Sequence, residues 1–191
     1  MKYTIPAVIF AGGKSSRMGK DKALLPFKGY STLSEFQYHK LEQWFDKVYL
    51  SSKTDKFPFK GKVIKDLYNE SSPLVGLISV FEKLESEASF VLSVDAPLLN
   101  KKIIEKLYDA YKDNSSLDAI IAQSPSGLQP LCGIYKRSIL IYAKENLSNN
   151  QHSLKALLNK STIKTIDFKE DVLFTNINTQ DEYLNLLNNF S

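Results

Sequence analysis

The 191-residue sequence predicts a three-layer α/β protein, in which a mostly parallel sheet with one antiparallel step carries helices on both faces. Short apolar, β-branched runs alternate with segments of helical periodicity along almost the whole chain. Two strand-like runs, 117–123 and 129–135, are joined only by a turn, "SPSG", which is too short for a helical crossover. That pair supplies the antiparallel step. We assign residues 1–191 to a single domain, because the length is ordinary for one.

The elements follow each other in a regular order. Apolar runs predict buried strands at residues 4–11, 47–52, 62–66 and 88–95. Helices are predicted between these strands at 33–45, from Pro73 onward, and at 100–112, where Asn100 is a suitable N-cap. In the second half, strands are predicted at 117–123, 129–135 and 161–168, and helices at 137–147, 153–160 and 181–190.

Composition excludes several classes of function. The net charge of +4 is spread along the chain without a basic block, so we expect no nucleic-acid partner. No run approaches the ~20 apolar residues that span a bilayer, so we expect no membrane partner. The apolar N-terminus is interpreted as the first strand and not as a signal peptide. Cys132 is the single cysteine, which prevents an internal disulfide and fits a cytoplasmic protein.

The stretch "IFAGGKSSRMGKDKALLPF" at residues 9–27 predicts an anion-binding loop after the first strand. A P-loop would need a glycine five positions before Gly13, where Val8 stands, and the G-x-G-x-x-G spacing is also absent. A longer loop remains, in which Gly12 and Gly13 let backbone N–H groups approach phosphate. Its cations are Lys14, Arg17, Lys20 and Lys22. A solvated turn is the alternative that composition alone leaves open.

Two carboxylates end predicted strands. Asp95 follows an apolar strand and precedes Ala-Pro, and Asp66 closes the run at 62–66. Ligands of open α/β sheets bind beyond the carboxyl ends of the strands. A lone carboxylate beside substrate phosphates suits Mg²⁺, which keeps several waters. From the strand context alone, Asp95 could equally cap a turn, and Asp66 could be a solvated loop residue.

Several segments together resemble the molybdenum cofactor guanylyltransferases, a branch of the nucleotidyltransferase family. "FAGGKSSRMGKDKALLPFKG" is similar to the signature L-A-G-G-x-S-x-R-M-G-x-D-K-x-L-L, with Phe10 in place of leucine. Further similar blocks follow in family order at 66–79, 91–99, 129–135 and 174–183. The departures are Ser72, Val75, Val94 and Gln180, which stand where the family has glycine, alanine, cysteine and proline.

The resemblance implies a Rossmann-like nucleotidyltransferase fold and an Mg²⁺-dependent enzyme. It would transfer GMP from GTP to molybdopterin, releasing pyrophosphate and forming molybdopterin guanine dinucleotide. Transient contacts with other proteins of cofactor biosynthesis or molybdoenzyme maturation are a further expectation. The alternatives are a CTP-dependent molybdopterin cytidylyltransferase, another small nucleotidyltransferase such as a sugar-nucleotide pyrophosphorylase, and a non-catalytic nucleotide-binding module. Gly12, together with the P-L-x-G run at 73–76, favours GTP over CTP.

The resemblance also implies roles for individual residues. Those assigned to the nucleotide are Phe10, Ala11, Gly12, Gly13, Lys22, Ser52, Asp66 and Asp95. Catalytic roles fall to Arg17, Lys22 and Asp95, with Asp95 also the metal ligand. The acceptor-side candidates are Gln129, Asn176 and Asn178. Ser51 and Ser52 stand near the place of a family asparagine that has no clear equivalent here. Asp21 is predicted to cap a turn, Cys132 to be a core residue, and His39 and His152 to lie at the surface or cap.

Overall fold

A computed structural model describes residues 2–13 and 19–189, whose strands form one seven-stranded sheet. The strands are β1 (Ala7–Phe10), β2 (Val48–Ser52), β3 (Val63–Lys65), β4 (Ala88–Ser93), β5 (Ala119–Ser124), β6 (Gly127–Lys136) and β7 (Ile163–Asp167). Their order in the sheet is β3-β2-β1-β4-β6-β5-β7. Parallel pairs join β3, β2, β1 and β4, so the carboxyl ends of these four strands lie at one edge.

Helices cover both faces of the sheet, as the sequence predicts. They are α1 (Leu33–Glu42), α2 (Pro73–Lys83), α3 (Lys101–Lys112), α4 (Leu140–Ser148), α5 (Leu154–Lys160) and α6 (Gln180–Asn189). The helices α1, α3 and α6 bury their apolar side chains in one cluster, while α2, α4 and α5 bury theirs in the other. Successive residues of β1 alternate between the two clusters, with Ile9 in the first and Phe10 in the second. This alternation places the sheet between two helical layers.

The antiparallel step is confirmed, and it consists of the single strand β6. This strand pairs antiparallel with both β4 and β5, whereas β5 and β7 are parallel. It begins at Gly127, two residues before the predicted start, because Gly127 already pairs with Ser124 across the turn. Its register with β5 jumps from Gly133 to Gln129, so the intervening residues bulge out of that pairing. Pro130 lies in this bulge, where its missing N–H leaves no ladder bond unmade.

The strand and helix ends follow the local capping chemistry. Asn100 caps α3 through its side chain, which accepts from the Ile103 N–H group. Ser72 caps α2 in the same way, and Pro73 occupies the first turn, where its missing N–H costs nothing. The first strand is shorter than the predicted 4–11, and Tyr3 instead forms an isolated bridge with Phe45. Helix α1 likewise ends at Glu42, before the predicted end.

No helix within the described ranges 2–13 and 19–189 has both the length and the apolar character needed to cross a bilayer.

Candidate active site

Three cavities meet at the carboxyl edge of the sheet. The glycine-loop pocket, about 130 Å³, is lined by Phe10–Gly13, Asp21–Ala23 and Ser93–Asp95. The Asp66 pocket, about 120 Å³, lies between the ends of β1 and β3 and the start of α2. The large cavity, about 460 Å³, lies between the end of β4, the bulge of β6 and the start of α5. Ser93 lines all three cavities, so they form one connected site around the end of β4.

The glycine-loop pocket begins where β1 leaves the sheet. The Phe10 carbonyl accepts from the Val94 N–H, and the Ala11 N–H donates to the Ser51 carbonyl. Hydrogen bonds to both neighbouring strands therefore continue as far as Ala11. Gly12 and Gly13 follow it at the strand end. Gly13 has φ +136°, a conformation that side chains rarely adopt, which explains a glycine there. Residues 14–18 lie outside the described part of the chain, and with them the predicted roles of Lys14 and Arg17.

A short 3-10 helix, Lys22–Leu24, places Lys22 in the lining of the glycine-loop pocket. Asp21 caps it by accepting from the Ala23 N–H at 3.0 Å, which confirms the predicted cap, and it also pairs with Lys56. The Lys22 Nζ lies 3.2 Å from Asp95 Oδ2 and 2.9 Å from Asn178 Oδ1. The Lys22 ammonium group therefore links the loop after β4, which carries Asp95, to the C-terminal segment, residues 176–178, which carries Asn178.

Asp95 lies two residues beyond the end of β4, in a loop that hydrogen bonds fix on several sides. The Ser93 hydroxyl donates to Asp95 Oδ1 at 2.5 Å, while Oδ2 faces Lys22. The Asp95 carbonyl accepts from the Ile177 N–H at 2.9 Å, which ties the loop to the segment of Asn176 and Asn178. The carboxylate is held in one orientation but keeps about 18% of its side-chain surface exposed.

This donor set fits a magnesium ion that is shared with a substrate. Within residues 2–13 and 19–189, no group of three or more His, Cys, Asp or Glu side chains could hold a metal. A preformed all-protein cage is therefore absent from the described part of the chain. Mg²⁺ is usually held by one or two carboxylates, substrate phosphates and waters. Asp95, which lines the glycine-loop pocket, offers such a carboxylate.

The Asp66 pocket contains a buried acceptor without a partner. Asp66 Oδ1 is buried with no hydrogen-bond partner, and burial raises the pKa of this carboxyl, although Lys53 and the Ser51 hydroxyl oppose that shift. The Phe10 ring packs under the pocket against Gly76, where an added Cβ would lie 2.7 Å from Phe10 Cε1. A buried acceptor without a partner costs about 1–3 kcal/mol. This pocket is therefore suited to a flat ligand that brings N–H donors to Asp66.

The large cavity is mixed in character. Its lining includes the apolar Leu99, Leu131 and Phe174 together with Gln129 and Asn176. The Gln129 side chain donates to Ser124 Oγ at 3.1 Å and to the Gly127 carbonyl at 3.3 Å, which fixes it beside the bulge. His152, Lys155 and the first residues of α5 also line this cavity. His152 Nδ1 also lies 3.4 Å from Ser72 Oγ, at the border with the Asp66 pocket.

The structure brings most of the sequence-predicted residues to this edge. Those that line one of the three cavities are Phe10, Ala11, Gly12, Gly13, Lys22, Asp66, Asp95, Gln129 and Asn176, and Asn178 joins them through Lys22. Ser52 differs, because it is 2% exposed and lines none of them, whereas Ser51 lines the Asp66 pocket. Adjacent strand residues point to opposite faces, and only Ser51 points toward Phe10 and α2.

Several contributing residues escaped sequence reasoning. Ser93, which lines all three cavities, stands two residues before Asp95, and that spacing is the only sequence signal for it. In the sequence, Gly76 stands out only as the last residue of the P-L-x-G run at 73–76, which favours GTP over CTP. Its close packing against the Phe10 ring is visible only in the fold. His152 and Lys155 carry no local motif, and only the approach of α5 to β6 brings them to the cavity. Cys132 is buried as predicted, and burial strongly raises the pKa of its thiol, although it also lines the large cavity.

Comparison with known proteins agrees with this geometry. Residues 7–165 match the family described as the MobA-like NTP transferase domain. A molybdenum cofactor guanylyltransferase of Campylobacter jejuni is 36% identical over 178 residues, which cover 92% of each chain. One of Helicobacter pylori is 31% identical and covers 94% of this chain and 90% of its own.

A solved structure has the same fold. The molybdopterin-guanine dinucleotide biosynthesis protein A from Archaeoglobus fulgidus superposes with a TM-score of 0.82 over 96% of this chain and 97% of its own, at 18% identity. The matched family covers most of the sequence, including the glycine loop, Asp66 and Asp95. The chain belongs to the MobA-like NTP transferase family.

Proposed function

We propose that the protein transfers GMP from GTP to the terminal phosphate of molybdopterin, releasing pyrophosphate and forming molybdopterin guanine dinucleotide. The observation that carries this proposal is the junction around Ser93 and Asp95. The glycine-loop pocket and the large cavity are both lined by this carboxylate. A nucleotide on one side and an acceptor on the other would place the reacting groups at Asp95. The guanylyl transfer named for the relatives supports the same reaction.

Asp66 favours guanine as the base. Guanine carries an N1–H and an N2 amino group side by side, and a carboxylate can accept from both. Cytosine offers only its N4 amino group on the corresponding edge, so one carboxylate oxygen would keep no donor. The buried Asp66 Oδ1 is an acceptor that guanine would satisfy. Charged hydrogen bonds of this kind contribute about 1.5–3 kcal/mol each.

The chain's own groups then handle charge and position. The Gly12 and Gly13 N–H groups would bind the phosphates in the glycine-loop pocket, and Lys22, which contacts Asp95 and Asn178 in the same place, would neutralise their charge. Asp95 would hold Mg²⁺ together with phosphate oxygens and water, and the ion would neutralise the phosphate charge. A phosphate oxygen of the acceptor attacks the α-phosphorus of GTP. The bond from the α-phosphorus to the α,β-bridging oxygen breaks, and pyrophosphate leaves.

The acceptor would occupy the large cavity. A pterin is flat and rich in hydrogen-bonding groups, which suits apolar walls with the Gln129 and Asn176 amides between them. Lys155, which lines the same cavity, would favour an anionic group. Asn178, bonded to Lys22, would lie where the acceptor meets the nucleotide. Cytoplasmic location and transient contacts with other proteins of cofactor biosynthesis are part of the same proposal.

Turnover tests the proposal directly. The purified protein is mixed with Mg²⁺, molybdopterin and either GTP or CTP, and pyrophosphate and the dinucleotide product are measured. We expect product with GTP, little with CTP, and none after chelation of the metal with EDTA. A preference for CTP would replace the guanylyl assignment by the cytidylyl one. Absence of product with either nucleotide, in protein that still binds GTP, would favour a non-catalytic binding module.

A further inference from the structure

Two polar side chains of α1 hold the loop that carries Asp95. Gln37 and Lys40 lie one turn apart on this helix and both reach residues 94–99. The Gln37 amide nitrogen donates to the Val94 carbonyl at 3.3 Å and to the Ala96 carbonyl at 3.0 Å. Lys40 Nζ donates to the Pro97 carbonyl at 2.8 Å and to the Leu99 carbonyl at 3.1 Å.

These four bonds bracket Asp95. Gln37 bonds the carbonyls immediately before and after it, and the Asp95 carbonyl itself is taken by the Ile177 N–H. The backbone of the loop is therefore held from α1 on one side and from the C-terminal segment on the other. Neither α1 residue touches the three cavities, so they act on the site only through the loop.

We propose that Gln37 and Lys40 are positioning residues that hold the Asp95 carboxylate in the orientation required for metal binding and GMP transfer. This inference rests on the proposed function for the role of Asp95. A packing role alone would not require two polar side chains at this place. Gln37 is fully buried, and its Oε1 has no hydrogen-bond partner. Burying this acceptor destabilises the fold, so packing alone does not explain an amide here, whereas its Nε2 donor holds the loop.

Lys40 can serve this purpose in either charge state. Burial lowers the pKa of Lys40 to about 7, with a smaller contribution from the charge of Lys28. A neutral amine still has two N–H donors, and the loop offers it two carbonyl acceptors. The Phe36 ring, 5.3 Å from the nitrogen, packs beside it in both cases. The hydrogen bonds to the loop therefore do not depend on the protonation of Lys40.

The test compares Gln37→Glu, Lys40→Met and the double variant with a control on the same helix, His39→Gln. Gln37→Glu keeps the size of the side chain but turns oxygens toward two carbonyls, and Lys40→Met keeps the packed stem. His39 points away from the loop, with its Nδ1 2.9 Å from Glu42. A displacement of about 1 Å in a catalytic group can cost about 100-fold in rate. We therefore expect kcat to fall about 10- to 100-fold in the double variant.

Two further readouts separate positioning from general destabilisation. The Mg²⁺ concentration for half-maximal rate should rise in the variants, while KM for GTP changes by less than about threefold, since the nucleotide pockets are untouched. Hydrogen exchange, measured without nucleotide or metal, should accelerate at the Val94 and Ala96 amides while the amides of β1 keep their protection. His39→Gln should match the wild type in all three measurements.

Unchanged kcat, Mg²⁺ dependence and loop exchange in folded Gln37→Glu and Lys40→Met proteins would overturn the proposal. Acceleration spread evenly over the whole sheet would also overturn it, because the two residues would then serve stability alone. An Asp95→Asn protein with wild-type turnover would instead remove the proposed function. In that event the exchange data would still show whether α1 fixes the loop.

Discussion

Two carboxylates at the same edge of the sheet differ in what surrounds them. Asp95 has a partner on each oxygen, Ser93 on one and Lys22 on the other, and its backbone is fixed by neighbouring segments. Asp66 is half-buried with one oxygen that has no partner, and burial raises its pKa. The first carboxylate already lies beside a cation, which suits the proposed replacement of the Lys22 ammonium group by a metal ion. The second favours a ligand that brings hydrogen-bond donors.

A position at the end of a strand does not by itself assign a role to a carboxylate. Both aspartates follow parallel strands, and both lie beside the pockets at the end of β1. Their neighbours separate them, because Asp95 faces an ammonium group and Asp66 faces the Phe10 ring and the start of α2. We therefore expect substitution of Asp95 to lower mainly kcat and substitution of Asp66 to raise mainly KM for GTP.

The largest effect is expected for Asp95→Asn. Removing the charge that would bind Mg²⁺ should lower kcat by about 10²- to 10³-fold or more, with the fold retained. Steady-state turnover with GTP and molybdopterin measures this, and circular dichroism checks the fold. Asp109→Asn, on the exposed side of α3, is the control and should be silent. A kcat within twofold of the wild type would remove Asp95 from the mechanism.

Asp66→Asn should act mainly on the affinity for GTP. The amide can accept one guanine N–H group but presents its own N–H to the other, so about 1.5–3 kcal/mol of binding is lost, a rise in KM of about 10- to 100-fold. The kcat at saturating GTP should change much less than in Asp95→Asn. Equal losses of kcat in both variants would contradict the separate roles proposed for the two carboxylates.

A smaller effect is expected for Gly76→Ala, which narrows the Asp66 pocket without touching Asp95. The new Cβ would lie 2.7 Å from Phe10 Cε1 and 3.0 Å from Ser51 Oγ. Overpacking of this kind costs about 1–3 kcal/mol, and the better helix propensity of alanine returns about 1 kcal/mol. We expect a small loss of stability in urea unfolding and a higher KM for GTP. Lys83→Ala, at an exposed position of the same helix away from the pocket, is the control and should leave KM for GTP unchanged.

The smallest effect concerns pH and stability. Because burial raises the pKa of Asp66, the folded protein binds this proton more tightly than the unfolded chain does. Protonated Asp66 therefore stabilises the fold fully at pH values below the unfolded-state pKa of Asp66, about 3.9. This contribution to the free energy of unfolding is lost as pH rises through the folded-state pKa. Asp66→Asn is neutral throughout, so its free energy of unfolding should gain on the wild type as pH rises from 4 to 7. A constant difference over that range would contradict the raised pKa.

Much of the fold was predictable from sequence because it depends on local patterns. Apolar runs predict the strands, and the N-cap Asn100 and the first-turn Pro73 predict helix starts. The glycine loop and the two aspartates were predictable because each lies next to its strand in the sequence. The assignment of residues 1–191 to a single domain stays a prediction.

What could not be predicted depends on contacts between distant segments. The resemblance assigns Ser52 to the nucleotide, but Ser51 is the residue that lines the Asp66 pocket. The sequence alone does not show which face of β2 packs against α2. The bulge of β6, which opens the large cavity, depends on a register shift against β5 that no local pattern marks. Lys22 meets Asn178 across 156 positions of the chain, and Gln37 meets Ala96 across 59. Such contacts follow from the packed fold alone.

The most direct test of the two roles is a crystal structure with GTP and Mg²⁺. We predict guanine in the Asp66 pocket above Phe10, with its N–H groups on Asp66. The phosphates should lie over Gly12 and Gly13, and the metal should be bound to Asp95, with Lys22 moved from that carboxylate to the phosphates. A nucleotide bound elsewhere, or a base at Asp95 with the metal at Asp66, would contradict the roles proposed for the two carboxylates.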